Sequence, residues 1–306
     1  MAVILFQPLD IVMNMEDKMK IEFVKMEGLG NDFIILDDRR GDILQYENYP
    51  SLAEKLCSRH FGIGADGIML ILESSDHDIK FRIYNSDGSQ AQMCGNGIRC
   101  FAKYLYENKI VAKKIIRVDT KAGTIIPEVI TSSQGLVESI KVDMGEPAFL
   151  CKDIPFKSDN EKAIEETLKV GDMEYSITAV GMGNPNAVIF VDDITKIDVK
   201  TAGPLIEKHE RFPEKTNVEF VEVVSPGEVK MKVWERGAGM TLACGTGACA
   251  CLVAASITGR TSKKATVHLD GGDLEIFWDE NTNHVFKTGP AVEVFRGVIN
   301  LGSAEK

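Results

Sequence analysis

The sequence predicts an α+β protein of two pseudo-symmetric lobes, each a curved, mostly antiparallel sheet around a central helix, with the active site in the cleft between them. Three observations lead to this prediction. The same landmarks recur in both halves of the chain, β-branched or alternating runs bounded by turn residues recur in both, and a helical stretch follows a Cys-Gly-x-Gly sequence in each. The length of 306 residues also suits two domains of about 150 residues each.

An internal duplication is visible in the spacing of five landmarks. In each half a Gly-Asn pair precedes an apolar run and an Asp, and a Glu-Lys pair follows 23 positions after that Asn. Each half then has a strand that ends in a polar residue, and nine positions later a cysteine opens Cys-Gly-x-Gly. The matched residues are Asn31 and Asn184, Glu54 and Glu207, Asn85 and Glu235, and Cys94 and Cys244. This constant order indicates two copies of one structural plan.

The individual elements follow from periodicity and turn residues along the chain. Ser51 and Glu54 form a capping-box pattern, which predicts that a helix starts there. Strands are predicted at residues 69–72, 79–84, 115–118, 124–130 and 137–142 in the first half, and at 218–224, 229–234, 266–269, 274–277 and 292–295 in the second. Helices are predicted at 98–107 and 248–257; the second is rich in Ala and can pack on every side.

The domain division follows from where these patterns begin and join. Residues 1–18 are predicted to be an N-terminal extension outside the fold, because the alternating strand pattern begins only at residue 20. The apolar residues 2–6 lack a preceding basic segment, so we do not expect a secretory signal. Residues 19–138 are predicted to form the N-terminal lobe and residues 139–289 the C-terminal lobe. Residues 290–306 are a candidate to return to the N-terminal lobe.

Composition excludes several classes of partner. The hydrophobic fraction of 44% and the charged fraction of 26% are ordinary for a globular protein with its own core. A formal net charge of −11 argues against nucleic acid or an anionic membrane as the main partner. No apolar run approaches the roughly 20 residues of a transmembrane helix. Seven cysteines are too few for a disulfide scaffold, so we expect reduced thiols and a cytoplasmic protein.

A cysteine at the start of a helix has two chemical uses. The first backbone N–H groups of a helix lack internal acceptors, and the helix dipole places partial positive charge there. A thiol at that point ionises more easily, and a carboxylate can bind the free N–H groups where glycines allow close approach. Cys94 and Cys244, each within Cys-Gly-x-Gly, are therefore the candidate catalytic residues.

Two such loops related by pseudo-symmetry predict a specific type of reaction. A cleft between similar lobes would place two thiols on opposite faces of one bound substrate. One thiolate could then remove a proton from a carbon next to a carboxylate while the other thiol delivers a proton to the opposite face. Helix N-termini directed at the carboxylate would stabilise the charge that develops on it. The duplication therefore predicts racemisation or epimerisation of a carboxylate-bearing substrate.

Other readings of the sequence are weaker. Residues 62–67 (GIGADG) satisfy a dinucleotide-binding fingerprint, but a helix precedes them and a strand follows, which is the reverse of the required order. Cys249 and Cys251 have no histidine at ligand spacing, so we expect no metal. A dithiol redox or metal-binding module remains as a remote alternative of another class.

Longer motifs around these landmarks resemble those of a known family. They are MEGLGNDF (26–33), YNSDGS (84–89), MCGNGIRC (93–100), GNP (183–185), NVEF (217–220), WERGAG (234–239) and ACGTG (243–247). On these motifs the chain resembles the diaminopimelate epimerase family of cofactor-independent, two-cysteine racemases and epimerases. The resemblance extends from about residue 20 to the C-terminus.

The resemblance implies a function and a set of site residues. Members of the family interconvert LL- and meso-2,6-diaminopimelate on the route to lysine and peptidoglycan, without pyridoxal phosphate or metal, and a homodimer is a family expectation. Cys94 and Cys244 match the two acid/base residues. The positions matching those that bind substrate are Gly95, Asn96, Gly245 and Thr246 for the reacting carboxylate, Glu235 near the reacting ammonium, and Asn31, Asn85, Asn184, Asn217 and Arg236, largely for the distant end.

One position departs from the family pattern in a way that bears on the substrate. Many members have His after Gly-Asn-Pro, whereas this chain has Asn186. Racemisation of another amino acid, such as histidine, on the same scaffold is therefore the alternative function. Arg236 favours diaminopimelate, because histidine has no second carboxylate for that guanidinium to bind.

Overall fold

The structure, a computed structural model, describes residues 18–302. The prediction for residues 1–18 therefore lies outside the described residues except at Lys18, which already belongs to the first strand. The strands of the described chain are β1 (Lys18–Gly28), β2 (Asn31–Asp37), β3 (Gly67–Leu72), β4 (Ile79–Asn85), β5 (Gln90–Ala91), β6 (Val118–Thr120), β7 (Gly123–Ile125), β8 (Glu128–Thr131), β9 (Val137–Asp143), β10 (Glu166–Val170), β11 (Met173–Gly181), β12 (Pro185–Phe190), β13 (Asn217–Ser225), β14 (Glu228–Glu235), β15 (Gly239–Met240), β16 (Lys264–Leu269), β17 (Gly272–Trp278), β18 (Val285–Gly289) and β19 (Val292–Gly302). The helices are α1 (Asp42–Tyr46), α2 (Tyr49–Cys57), α3 (Gly97–Glu107), α4 (Val199–Glu207) and α5 (Gly245–Ile257), with a short 3-10 turn at Ile194–Lys196.

The strands form two sheets that repeat one topology. The first has the order β19-β1-β2-β3-β4-β6-β7, and the second the order β10-β11-β12-β13-β14-β16-β17-β18-β9-β8. Strands β1–β7 and β11–β17 correspond one to one: the β2–β3 and β4–β6 pairs are parallel, as are β12–β13 and β14–β16, and the pairs between them are antiparallel. The predicted fold class, with two pseudo-symmetric and mostly antiparallel lobes, is confirmed.

Each sheet carries a helix on both faces. The inner face of the first sheet packs on α3 and its outer face on α2, because side chains alternate across a strand: Ile35 and Met69 face inward, whereas Ile34 and Ile68 face outward. In the second sheet α5 fills the inner core and α4 covers the other face. The small side chains of α5 are buried all round, as the sequence predicted.

Local differences from the predicted elements have identifiable causes. Helix α2 is capped by Asn48, whose side chain accepts from the Ser51 N–H at 3.0 Å, so the prediction that Ser51 caps the helix was wrong. Asn48 takes the role because Pro50, which has no N–H, fits only the first turn. The run predicted as one strand at 124–130 divides into β7 and β8, on different sheets. Pro127 lies between them and cannot donate to a sheet ladder.

The segment around the predicted lobe boundary belongs to both halves. Strand β9 pairs with β18 of the second sheet, yet Val129, Ile140 and Val142 pack in the core around α3. Backbone pairing thus assigns this segment to the second lobe, whereas side-chain packing assigns it to the first. The lobe bounds 19–138 and 139–289 stay a prediction. Strand β19 pairs with β1 at the edge of the first sheet. No helix among residues 18–302 is long and apolar enough to cross a membrane.

Candidate active site

Each Cys-Gly-x-Gly sequence places its thiol at the N-terminus of a central helix. The Cys94 carbonyl accepts from the Ile98 N–H at 2.9 Å, and the Cys244 carbonyl accepts from the Ala248 N–H at 3.0 Å, so both cysteines begin the first helical turn. The Gly97 N–H also donates to the Cys94 sulfur at 3.4 Å. The positive ends of the two helix dipoles are therefore directed at the two sulfurs.

The second glycine of each motif is required by close packing. A Cβ atom on Gly97 would lie 3.4 Å from the Cβ of Cys94, and one on Gly247 would lie 3.4 Å from the Cβ of Cys244. It would also lie 2.9 Å from the Met69 sulfur in the first lobe, and 2.8 Å from Oε1 of Glu219 in the second. The pseudo-symmetry of the chain thus extends to the packing around each thiol.

The two loops meet at the junction of the lobes. The Asn96 amide donates to the Ala243 carbonyl, just before Cys244, at 3.5 Å. A Cβ atom added to Gly95 would lie 2.5 Å from Nζ of Lys287, and one added to Gly245 would lie closer still to the same nitrogen. The free N–H groups of both helices, which suit a carboxylate, are therefore brought to one place.

The surroundings of Cys94 combine burial with positive charge. Its sulfur donates to Oδ1 of Asn31 at 3.6 Å, and Asn31 in turn donates to Asp66 at 2.6 Å. Burial raises the pKa of the Cys94 thiol. The backbone N–H groups of the helix start and the charges of Lys287 and Arg99 oppose this, because each favours the thiolate.

The surroundings of Cys244 contain carboxyl groups instead of cations. Its sulfur accepts from the Asn217 amide at 3.8 Å and lies 3.5 Å from the Thr246 hydroxyl. Burial, followed by the carboxyls of Glu235 and Glu219, raises the pKa of this thiol well above its ordinary value. The Thr241 hydroxyl donates to Glu235, whose own pKa is raised by burial. The two sulfurs thus share a backbone frame but differ in their charged neighbours.

Asn186 supports the Cys244 side of the site from within the sheet. The residue is fully buried; its amide donates to the Val180 carbonyl at 3.1 Å and to the Asn184 carbonyl at 2.8 Å. Its own Oδ1 accepts from Asn217, the residue that contacts the Cys244 sulfur. Asn186 therefore orients Asn217, and no titratable ring occupies this position.

The structure joins most of the predicted site residues but not all of them. Asn31, Asn96, Asn184, Asn217, Glu235 and Thr246 are linked to one or other cysteine loop by the contacts above or, for Asn184, by an amide that donates to Thr246 at 3.2 Å. The Asn85 side chain is exposed and donates to Ser89. The Arg236 side chain is also exposed and donates to the Glu214 carbonyl at 3.1 Å, whereas its backbone N–H donates to Asn217.

Sequence reasoning missed three buried ionisable side chains next to the site. In the described part of the chain, both carboxyl oxygens of Glu219, Nζ of Lys287 and Nη2 of Arg99 are buried without a hydrogen-bond partner. A signal was available for Lys287: it occupies an inward position in β18, where Val285 and Gly289 are also buried. Within residues 18–302, no cluster of three His, Cys, Asp or Glu side chains is arranged to hold a metal ion.

Comparison with solved structures places this architecture in a known class. A hydroxyproline epimerase from Agrobacterium vitis, with bound trans-4-hydroxy-L-proline, superposes with a TM-score of 0.65 at 16% identity, covering 94% of this chain and 92% of that one. A phenazine biosynthesis protein of the PhzF family from Bacillus anthracis gives 0.66 at 16% identity, covering 92% and 99%. At this identity the likeness shows the fold alone. The protein therefore shares its overall fold with this epimerase and this PhzF-family protein.

Sequence comparison then gives the family. The diaminopimelate epimerase family model matches residues 23–150 and 178–294. A diaminopimelate epimerase from Desulforapulum autotrophicum is 58% identical over 283 residues, which is 92% of this chain and 100% of that protein. One from Heliobacterium modesticaldum is 53% identical over 281 residues, with the same coverage. The chain belongs to the diaminopimelate epimerase family.

Proposed function

We propose that this protein is an isomerase that epimerises LL-2,6-diaminopimelate to meso-2,6-diaminopimelate. The observation that carries the proposal is the pair of equivalent thiols, Cys94 and Cys244, at two helix N-termini that meet at the lobe junction. The family relationship over most of the chain supports this substrate over histidine, which was the alternative. A redox or metal-binding module would need neither the matched loops nor their free N–H groups.

In the proposed mechanism one sulfur acts as base and the other as acid. The thiolate removes the α-proton from one face of the substrate and becomes a thiol. The electron pair left on the α-carbon is delocalised into the carboxylate, which the backbone N–H groups of Gly95, Asn96, Gly245 and Thr246 stabilise. The second thiol delivers its proton to the opposite face and becomes the thiolate, so the reverse reaction starts from that sulfur.

The remaining residues suit a substrate with an ammonium and a carboxylate at each end. Amide side chains, such as those of Asn31, Asn184 and Asn217, can donate to carboxylate and accept from ammonium. Glu235 supplies negative charge for the reacting ammonium, and Arg236 supplies a guanidinium that can bind the distant carboxylate in two places. Arg236 is exposed at the site edge, which leaves it accessible to that end of the substrate.

We also propose that the protein acts as a cytoplasmic homodimer in lysine biosynthesis. Strand β19, at the edge of the first sheet within residues 18–302, supports a dimer: Val292, Val294, Phe295 and Val298 have exposed fractions of 45–56%. Apolar side chains on an edge strand are unusual unless another surface covers them. Light scattering coupled to gel filtration should give twice the monomer mass of 33.7 kDa; a monomer would contradict the dimer proposal.

The function is tested by α-proton exchange in deuterated water, followed by NMR with reductant present. Wild-type protein should exchange the α-proton of LL-diaminopimelate and form the meso isomer, and should leave L-histidine unchanged. C94A and C244A should each abolish epimerisation, because each removes the group that serves one face. C57A is the matched control, because Cys57, the last residue of α2, is buried in the outer core away from the two cysteine loops. Near-normal turnover in C94A or C244A would end the two-base mechanism, and exchange of histidine alone would overturn the substrate.

A further inference from the structure

Lys287 occupies a position that a lysine rarely takes. Strand β18 alternates buried and partly buried residues, and Lys287 is on the buried side with 0% exposure. Its side chain extends between the two central helices, so that its ammonium reaches the gap between Gly95 and Gly245. These two glycines directly follow the two catalytic cysteines. The ammonium therefore lies next to the first glycine of both cysteine loops.

No acceptor within the described residues hydrogen-bonds to this ammonium. The groups that act on it are Arg99 from α3, Cys249 from α5, and the two catalytic thiols. Burial and the Arg99 charge lower the pKa of Lys287 to about 8, whereas the three thiols, when ionised, raise it. Among these groups, an ionised thiol is therefore what stabilises the charged form of Lys287.

We propose that Lys287 is a shared counter-ion for the two catalytic thiols, a positioning residue that favours the thiolate whichever sulfur carries the charge. The inference rests on the two-base function proposed above. In that reaction the negative charge passes from one sulfur to the other, so a cation beside only one of them would stabilise only one form of the enzyme. A cation next to both loops stabilises both forms.

A purely structural role would not explain a charge at this position. Burying an ammonium without a hydrogen-bond partner is destabilising, and an apolar side chain of similar length fills the same space without that penalty. Methionine is such a side chain. K287M should therefore fold at least as stably as the wild type while it loses the counter-ion, so loss of function in this variant would not reflect unfolding.

The test compares K287M and K287R with the wild type in two measurements. The first is the iodoacetamide reaction rate of Cys94 and of Cys244 in the free enzyme against pH, each resolved by peptide mass. The second is the pH profile of kcat/KM in both reaction directions. For K287M we expect the rising limb of the kcat/KM profile to shift to higher pH by about one unit, in both the forward and the reverse reaction. Alkylation of both cysteines at pH 7 should be roughly tenfold slower. K287R keeps the positive charge and should stay close to the wild type.

K141M is the matched control, because Lys141 lies on the adjacent strand β9 but is partly exposed, with its ammonium over the Phe286 ring. It should shift neither profile. Unchanged profiles in K287M, or a shift at only one cysteine, would overturn the shared counter-ion. Glu219 and Glu235, which also raise the pKa of Cys244, are present in all variants. If the wild type exchanges no α-proton of diaminopimelate, the proposed function fails, while the alkylation rates still test the counter-ion.

Discussion

Glu219 should make the protein less stable as the pH rises, and E219Q should remove that dependence. The side chain is fully buried on β13, and neither carboxyl oxygen has a hydrogen-bond partner within the described chain. Burial, and then the nearby Glu235, raise the pKa of Glu219 well above 4.5. Glutamine has nearly the same shape and cannot ionise, so the substitution removes the titration and little else.

The direction follows from which state holds the proton. In the unfolded chain Glu219 ionises near its ordinary pKa, whereas in the folded protein it keeps its proton to higher pH. Between those two values the folded state binds more protons, so stability is full below the unfolded pKa and is lost as the pH rises toward the folded one. Each pH unit in this window removes about 1.4 kcal/mol.

Urea unfolding of both proteins at pH 5, 6 and 7, with reductant, measures this difference. The wild type should lose stability relative to E219Q by up to about 1.4 kcal/mol for each pH unit between the unfolded and folded pKa values. E222Q is the control: Glu222 is on the same strand but accepts from the Ile194 N–H and from Lys230, which lower its pKa. A lowered pKa makes stability change with pH only below about pH 4.5, so the stability of E222Q should run parallel to that of the wild type over this range. Parallel stability curves for the wild type and E219Q would refute a raised pKa at Glu219.

Two further substitutions test the geometry of the site. R236A should raise KM for diaminopimelate about 10- to 100-fold with kcat little changed, because one charge-assisted contact is worth about 1.5–3 kcal/mol. An unchanged KM in steady-state assays would show that Arg236 does not bind the distant carboxylate. G247A should lower kcat about 100-fold, because its Cβ would lie 2.8 Å from Glu219 and displace the Cys244 thiol. G227A, where a Cβ meets nothing within 4 Å, is its control, and equal kcat values would contradict the packing argument.

The duplicated fold could be predicted because its signals are local and occur twice. The spacing of Cys94 and Cys244 from the preceding strands fixes a strand, a turn and a helix start in each half, and the structure repeats β1–β7 as β11–β17 around these points. Strand patterns with one buried face were also readable, because side chains alternate along a strand. Local sequence patterns were therefore sufficient to predict the two lobes and the two candidate cysteine loops.

Contacts between distant segments could not be predicted in the same way. The partition of residues 124–130 between two sheets depends on which strand each half meets in the folded protein. The side chains of Glu219 and Lys287 belong to residue types that are rarely buried, so composition assigns them to the surface. Only the folded structure brings Lys287, from β18, between loops that begin about 190 and 40 residues earlier in the chain.

The symmetry of the backbone and the asymmetry of the charges serve different requirements of a two-base reaction. Equivalent helix N-termini are needed because the proton must leave and arrive on opposite faces of one carbon. The charges differ: besides the shared Lys287, Arg99 favours the Cys94 thiolate, whereas ionised Glu219 and Glu235 disfavour the Cys244 thiolate. Burial that keeps Glu219 protonated removes part of this difference. The Lys287 ammonium then acts on two sulfurs whose acidities are more similar. Proton transfer that runs in both directions between the two sulfurs requires such similar acidities.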